Sequence, residues 1–200
     1  MSALPARGTP LWVLALWLLP LVLPNRWLRL AGAVVAAGAL SFFRDPERTP
    51  DGPGMLAAAD GLIREVSRAE DGRWLVSTYL SLRDVHVTRA PGDATVVSQD
   101  YRPGTHRAAF DEEAHANERL SWLLRTPHGE LELVQYSGAV ARRIVPYLRA
   151  GAEVARGERI GLIRFGSRVD VTLPPGFVPL VARGSRVRAG RTPIAIEGAP

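Results

Sequence analysis

The chain reads as a mainly β protein, α+β overall: a compact β-sandwich or barrel domain preceded by an N-terminal hydrophobic helical hairpin. Three observations carry this reading. Beyond Met55 the apolar residues come in short runs cut by glycine and proline, the pattern of short strands joined by tight turns. The segment Gly151-Ala-Glu-Val154-Ala-Arg-Gly157 is echoed further on by Gly184-Ser-Arg-Val187-Arg-Ala-Gly190, and an apolar strand follows each. Before Phe43 lie two strongly apolar runs, residues 11–23 and 30–43, divided by Pro24-Asn25.

Each N-terminal run is shorter than the roughly 20 residues that cross a bilayer comfortably. Together they fit a helical hairpin dipping into a membrane, with Pro24-Asn25 as the turn and Trp27 and Arg29 near the interface. Two short or tilted spans, a cleaved signal peptide and a buried soluble hairpin are the competing readings. Pro46, Pro50, Gly52, Pro53 and Gly54 then mark a linker. The domain reading is therefore an anchor over residues 1–43 and a globular domain over 44–200. Strands are predicted at 61–66, 73–80, 84–88, 95–101, 120–125, 130–136, 160–165, 169–173 and 193–196, with residues 108–119 as a loop containing a helical turn. The cadence of the two glycine units is similar to that of the small lipoyl-like β-domains that carry biotin or lipoate. At Arg164-Phe165-Gly166-Ser167-Arg168-Val169-Asp170 a Gly-Ser pair sits in a tight turn between two of the strands.

Composition closes several chemistries. All 25 basic residues are arginine, and there is no cysteine. Without lysine there is no internal aldimine for pyridoxal phosphate and no attachment point for biotin or lipoate. Without cysteine there are no disulfides, thiolate metal sites or thiol nucleophiles. The net charge of +5 favours an anionic partner. Scattered arginines and the absence of a recognised binding module argue against nucleic acid and leave an acidic membrane surface. His86 lies on or beside a strand; His106, His115 and His128 stand in polar, loop-like surroundings, spaced unlike zinc ligands, so no metal is expected. Asp60-Gly61 has the form of an ordinary turn. Arg142-Arg143, beside Ser137-Gly138, suits bidentate phosphate recognition or a plain charged face.

The order of segments adds what no single one supplies. Phe42-Phe43-Arg44-Asp45-Pro46-Glu47-Arg48, Ala59-Asp60-Gly61, Asp84-Val85-His86 with Arg89-Ala90-Pro91, Asn117-Glu118-Arg119, Gly138 through Ile144, and Gly161 through Asp170 follow one another as in phosphatidylserine decarboxylase proenzymes. From about Phe42 to Ile196 the chain resembles the short form of that family. The resemblance implies self-cleavage at Gly166-Ser167, leaving a β chain to 166 and an α chain that begins with a pyruvoyl group made from Ser167. Its carbonyl would take the substrate amine as a Schiff base and act as electron sink when carbon dioxide leaves. The cofactor would thus be a protein-derived pyruvoyl group, with no pyridoxal phosphate and no metal.

By the same resemblance Ser167, His86 and Asp60 form the processing set, His86 as base and Asp60 orienting it. Longer members carry a second histidine where this chain has Arg89, which leaves the division of roles between processing and protonation open. Arg168, Arg142, Arg143 and Arg89 are the candidates for the carboxylate and phosphodiester of a lipid. The expected reaction is phosphatidylserine to phosphatidylethanolamine and carbon dioxide. Another serine-headgroup lipid such as archaetidylserine, or a non-enzymatic membrane-tethered β-sandwich adaptor, are the alternatives. Partners would be the anionic phospholipid, the membrane and the chain's own cleaved fragments, with homo-oligomerisation open. The expected location is the inner cell membrane, anchored or peripheral, with the catalytic domain on the cytoplasmic side.

Overall fold

The computed structural model describes residues 5–104, 117–138, 143–164 and 167–198. Gly166, Arg142, His106 and His115 lie outside the described residues. The chain forms two compact units, residues 1–47 and 48–200, against a division read from the sequence at 43 and 44.

In the first unit α1 (Leu11–Ala15), a 3-10 turn (Leu16–Leu18) and α2 (Leu19–Val22) lead to Pro24, and α3 (Arg26–Phe42) runs back. Leu23 is extended, the conformation favoured before proline. Asn25 then caps α3, its side chain accepting from the Leu28 N–H at 2.9 Å. Gly32 lets the two arms approach: a Cβ there would stand 2.9 Å from Leu23 Cδ1. The Ala6 N–H donates to the Phe43 carbonyl at 2.7 Å and closes the unit. Its outer face is apolar, with Leu11, Trp12, Trp17, Leu21, Trp27 and Val34 exposed. Among the described residues no helix is long and apolar enough to cross a membrane.

The second unit is mainly β, as the sequence predicts. Its strands are β1 (Met55–Leu56), β2 (Gly61–Arg68), β3 (Trp74–Leu80), β4 (Val87–Arg89), β5 (Ala94–Arg102), β6 (Arg119–Thr126), β7 (Gly129–Ser137), β8 (Ile144–Pro146), β9 (Glu153–Val154), β10 (Arg159–Ile163), β11 (Ser167–Thr172), β12 (Phe177–Pro179), β13 (Arg186–Val187) and β14 (Pro193–Glu197). Eight of them form an antiparallel sheet in the order β13-β2-β3-β11-β7-β6-β5-β9, curled into a half-barrel. Two three-stranded sheets, β1-β14-β12 and β4-β10-β8, complete the fold. Trp122, Leu124, Leu131, Leu133, Val169 and Val171 line the core from the alternate positions of neighbouring strands. The strand predicted at 84–88 begins only at Val87, because Asp84 is spent on a turn. The strands flanking the Gly-Ser pair do not pair with each other: β10 and β11 belong to different sheets, so the chain crosses between sheets there instead of closing a hairpin.

The glycine echo is the trace of an internal two-fold. Gly151, Gly157, Gly184 and Gly190 all have left-handed backbones, with φ of 86, 83, 92 and 66°. β9 pairs with β5 through Val154↔Ala94, and β13 pairs with β2 through Val187↔Gly61, so that both partners move by one and the same interval, in opposite directions along the chain. The Gly151 N–H donates to the Val96 carbonyl and the Gly184 N–H to the Ile63 carbonyl, each at 2.8 Å. Even the bulges correspond, at Val96/Ser98 on β5 and Ile63/Glu65 on β2. The strand connections break the symmetry at one point. Thr126 and Gly129 pair across a two-residue hairpin joining β6 to β7, whereas in the other half the equivalent partners Leu80 and Ser167 are not joined in sequence.

Candidate active site

Ser167 opens β11 with both neighbours in place: it pairs with Leu80 on β3 and with Ser137 on β7. It is fully buried, and its Oγ has no hydrogen-bond partner among the described residues. Ser137, equally buried, has a second orphaned Oγ. The backbone of Ser137 is pinned on both sides. Its N–H donates to the Glu118 carbonyl at 2.9 Å, and its carbonyl accepts from Asn117 Nδ2 at 2.8 Å. The Asn117-Glu118 segment thus secures the strand beside Ser167.

His86 is fully buried at the entry to β4. Its Nδ1 lies 2.9 Å from the Asp84 carbonyl, an oxygen that can only accept, so Nδ1 carries the hydrogen and Nε2 the lone pair of the neutral ring. Asp84 is fixed in turn. One carboxylate oxygen accepts from the Ser81 N–H and hydroxyl at 2.8 and 2.7 Å, and the other accepts from Arg186 at 3.1 Å. The His86 carbonyl receives the Ile163 N–H at 3.1 Å, which places His86 beside the end of β10, shortly before Ser167 in the chain. A buried chain links the two sheets: Trp122 Nε1 donates to Gln135 Oε1 at 2.7 Å, and Gln135 Nε2 donates to Thr88 Oγ1 at 2.9 Å. Gly161 makes room for Gln135, since a Cβ there would stand 3.3 Å from its Nε2.

Asp60 is placed differently from the sequence reading, which has it orienting His86. Its carboxylate is forked onto Arg48, with Oδ2 accepting from Nη2 at 2.8 Å and Oδ1 from Nη1, and Oδ1 also accepts from the Ala189 N–H at 2.8 Å. No hydrogen bond joins Asp60 to His86 among the described residues. The two-fold explains the arrangement. Asp93 stands to Asp60 as Gly184 stands to Gly151 in spacing, and it accepts at 2.7 Å from the N–H of Arg156, the residue equivalent to Ala189. Both aspartates clamp a glycine turn, and Asp60 alone adds an arginine.

The four arginines proposed for a headgroup also part company. Arg89 is buried, donates to the Gly157 carbonyl at 3.0 Å and packs against Gly190, so its fork is used inside the fold. Arg168 is held by Asp170 through two 2.7 Å hydrogen bonds, with its guanidinium 5.4 Å from the Tyr136 ring centre. Burial, and then the charge of Asp170, push the Tyr136 phenol above its usual range. Arg143 stays exposed, and its carbonyl accepts the Arg164 N–H at 3.2 Å. Burial and the Arg143 charge lower the pKa of Arg164, a cation beside Arg143 that sequence reasoning passed over. Arg48 and Ser137 were missed as well, since nothing local announces a contact made across strands. Among the described residues no cluster of three His, Asp or Glu side chains is built for a metal ion.

The family model for phosphatidylserine decarboxylase matches residues 35–195. The chain is 46% identical to the phosphatidylserine decarboxylase proenzyme of Thermobifida fusca, over 94% of this chain and 90% of that protein. It is 45% identical to the protein of the same name from Streptomyces griseus, over 94% and 92%. A putative archaetidylserine decarboxylase proenzyme of Halobacterium salinarum is 42% identical, over 82% and 83%.

Proposed function

The chain belongs to the phosphatidylserine decarboxylase family, and on that premise we propose that it is a self-processing, membrane-associated enzyme that converts phosphatidylserine to phosphatidylethanolamine and carbon dioxide. The observation that carries the reading is Ser167 itself: a buried hydroxyl with no partner among the described residues, opening a strand that lies in a different sheet from the strand before it. A finished structural serine in that position would cost about 1–3 kcal/mol for its unsatisfied hydroxyl. A serine awaiting conversion fits it, and the neighbourhood fits a small carbonyl group held away from water.

In the proposed processing, Ser167 Oγ attacks the Gly166 carbonyl carbon and the peptide C–N bond breaks, giving an ester and a free amino group on residue 167. A hydroxyl is a weak nucleophile, so a base must take its proton, and the His86 Nε2 lone pair is suited to that task. Loss of the residue 167 Cα proton then expels the Gly166 carboxylate. Water replaces the nitrogen, ammonia leaves, and the α chain begins with pyruvoyl 167. When formed, that group supplies a carbonyl that condenses with an amine and withdraws electrons from the bond to be broken. The chain's own residues bind and orient. Arg143 and Arg164 offer positive charge to a lipid phosphodiester, His86 holds or delivers a proton, and the β7 and β3 neighbours exclude water.

The exposed apolar residues of the first unit support association with a membrane, which in this proposal is the inner cell membrane with the second unit on its cytoplasmic side. The name of the Halobacterium relative supports a second substrate, archaetidylserine, because the chemistry touches only the shared serine headgroup. The test is intact mass and a denaturing gel of purified protein. The natural chain is expected as two fragments divided at Gly166-Ser167, the smaller one reactive toward hydrazine, with carbon dioxide released from phosphatidylserine. Ser167→Ala is expected as one inactive chain, and a cut Ser167→Ala protein would remove the assignment. Side-by-side assays on the two lipids decide the backbone.

A further inference from the structure

We infer that Ser137 is a positioning residue for self-cleavage, its hydroxyl holding the Ser167 hydroxyl in the attacking orientation; this rests on the processing proposed above. Ser137 and Ser167 are directly paired residues of adjacent antiparallel strands. Side chains so paired lie on one face of a sheet with Cβ atoms about 4.5–5.5 Å apart. Both residues are fully buried, and both Oγ atoms lack a partner among the described residues. Each orphan alone would be costly. Two of them facing each other are satisfied together by a rotation about χ1, which brings the oxygens to hydrogen-bond distance without moving backbone.

The backbone of Ser137 cannot drift to find another partner, because Glu118 and Asn117 hold its N–H and carbonyl. By donating its own O–H to the Ser167 oxygen, the fixed Ser137 hydroxyl selects one rotamer of the nucleophile and leaves the Ser167 O–H free to face the base, which takes that proton when the C–O bond forms. Ser137 keeps its own hydrogen throughout and is unchanged by the reaction. The Gln135-Tyr136-Ser137-Gly138 end of β7 thus contributes a functional group as well as a sheet edge.

The experiment follows cleavage of freshly translated full-length chain on denaturing gels across pH. Ser137→Ala is expected to slow cleavage about tenfold, the kinetic weight of one lost hydrogen bond. The pH profile should keep its inflection, since Ser137 does not titrate, and lose only plateau rate. In an uncut Ser167→Ala background, Ser137→Ala should leave the thermal midpoint unchanged or raise it, because it removes a buried orphan. Ser137→Cys, close in size and a weak hydrogen-bonding group, gives a second reading should the alanine variant not fold. Cleavage at half the natural rate or faster in either folded variant overturns the inference, as does a displaced inflection, which would mean that the base had been disturbed. If the natural chain itself stays uncut, the processing proposal fails and this inference with it; a cut natural chain with a fast Ser137→Ala fails the inference alone.

Discussion

Asp60 and Asp93 perform one task at two ends of a pseudo-symmetric fold, and the difference between them isolates what Arg48 adds. Asp93 accepts one backbone N–H at an exposed turn, so Asp93→Ala should cost about 1 kcal/mol. Asp60→Ala removes the matching clamp and strands the Arg48 guanidinium, whose side chain is only 9% exposed, and should cost about 3–5 kcal/mol. Urea unfolding of both variants in an uncut Ser167→Ala background measures the difference; equal losses would show that Arg48 contributes nothing. Cleavage should proceed at the natural rate in Asp93→Ala. At this scale the sequence is readable where a residue sits in a dense local pattern, as Ser167 and His86 do. It is silent where the partner is remote, as Arg48 is to Asp60. The equivalence of Asp60 and Asp93 was nevertheless present, at the same spacing as the paired glycines, and hidden because the residues between them differ.

Among elements, the open hairpin at Ser167 places the proposed nucleophile where one half of the fold departs from the other. The β6–β7 hairpin closes the equivalent place with Pro127-His128; between Leu80 and Ser167 no such turn exists, and the strand start is reached from another sheet. Besides the shared apolar core, Gln135 ties the sheet entered at His86 to the sheet of Ser167, bridging Trp122 and Thr88. Gln135→Leu leaves the buried indole N–H and the Thr88 hydroxyl with a partner lost, at about 1–3 kcal/mol for each orphaned group. We expect a loss of about 2–4 kcal/mol in urea unfolding, together with slowed cleavage, as the base loses its alignment with the nucleophile. Unfolding unchanged from the natural chain would show that water replaces the amide. The long strands β3, β5, β6 and β7 were legible as runs of seven to nine residues rich in apolar and β-branched side chains, with a partial alternation in β7. The two-residue strands β1, β9 and β13 were not, since two residues hold no period and backbone pairing alone defines them.

For the whole molecule, the chain divides between a β unit that contains every residue assigned to processing and a helical unit whose outer face is apolar. The second unit has its own continuous core, running from Met55 through Trp122 and Val169 to Ala195, and it begins at Arg48, so the Asp60 ion pair lies entirely within it. A chain of residues 48–200 is therefore expected to fold and to cut itself within about twofold of the natural rate. Lipid attachment is a separate matter. Losing even one inserted leucine forfeits about 1.5–3 kcal/mol, more than the 1.4 kcal/mol that makes a factor of ten. The first unit exposes Leu11, Trp12, Trp17, Leu21 and Trp27 together. Removing residues 1–47 should lower co-sedimentation with phosphatidylserine vesicles by at least about tenfold, while decarboxylation of detergent-dispersed lipid is retained. Vesicle binding that survives the truncation would transfer the membrane contact to the arginine-rich β unit, where high salt should then abolish it by screening.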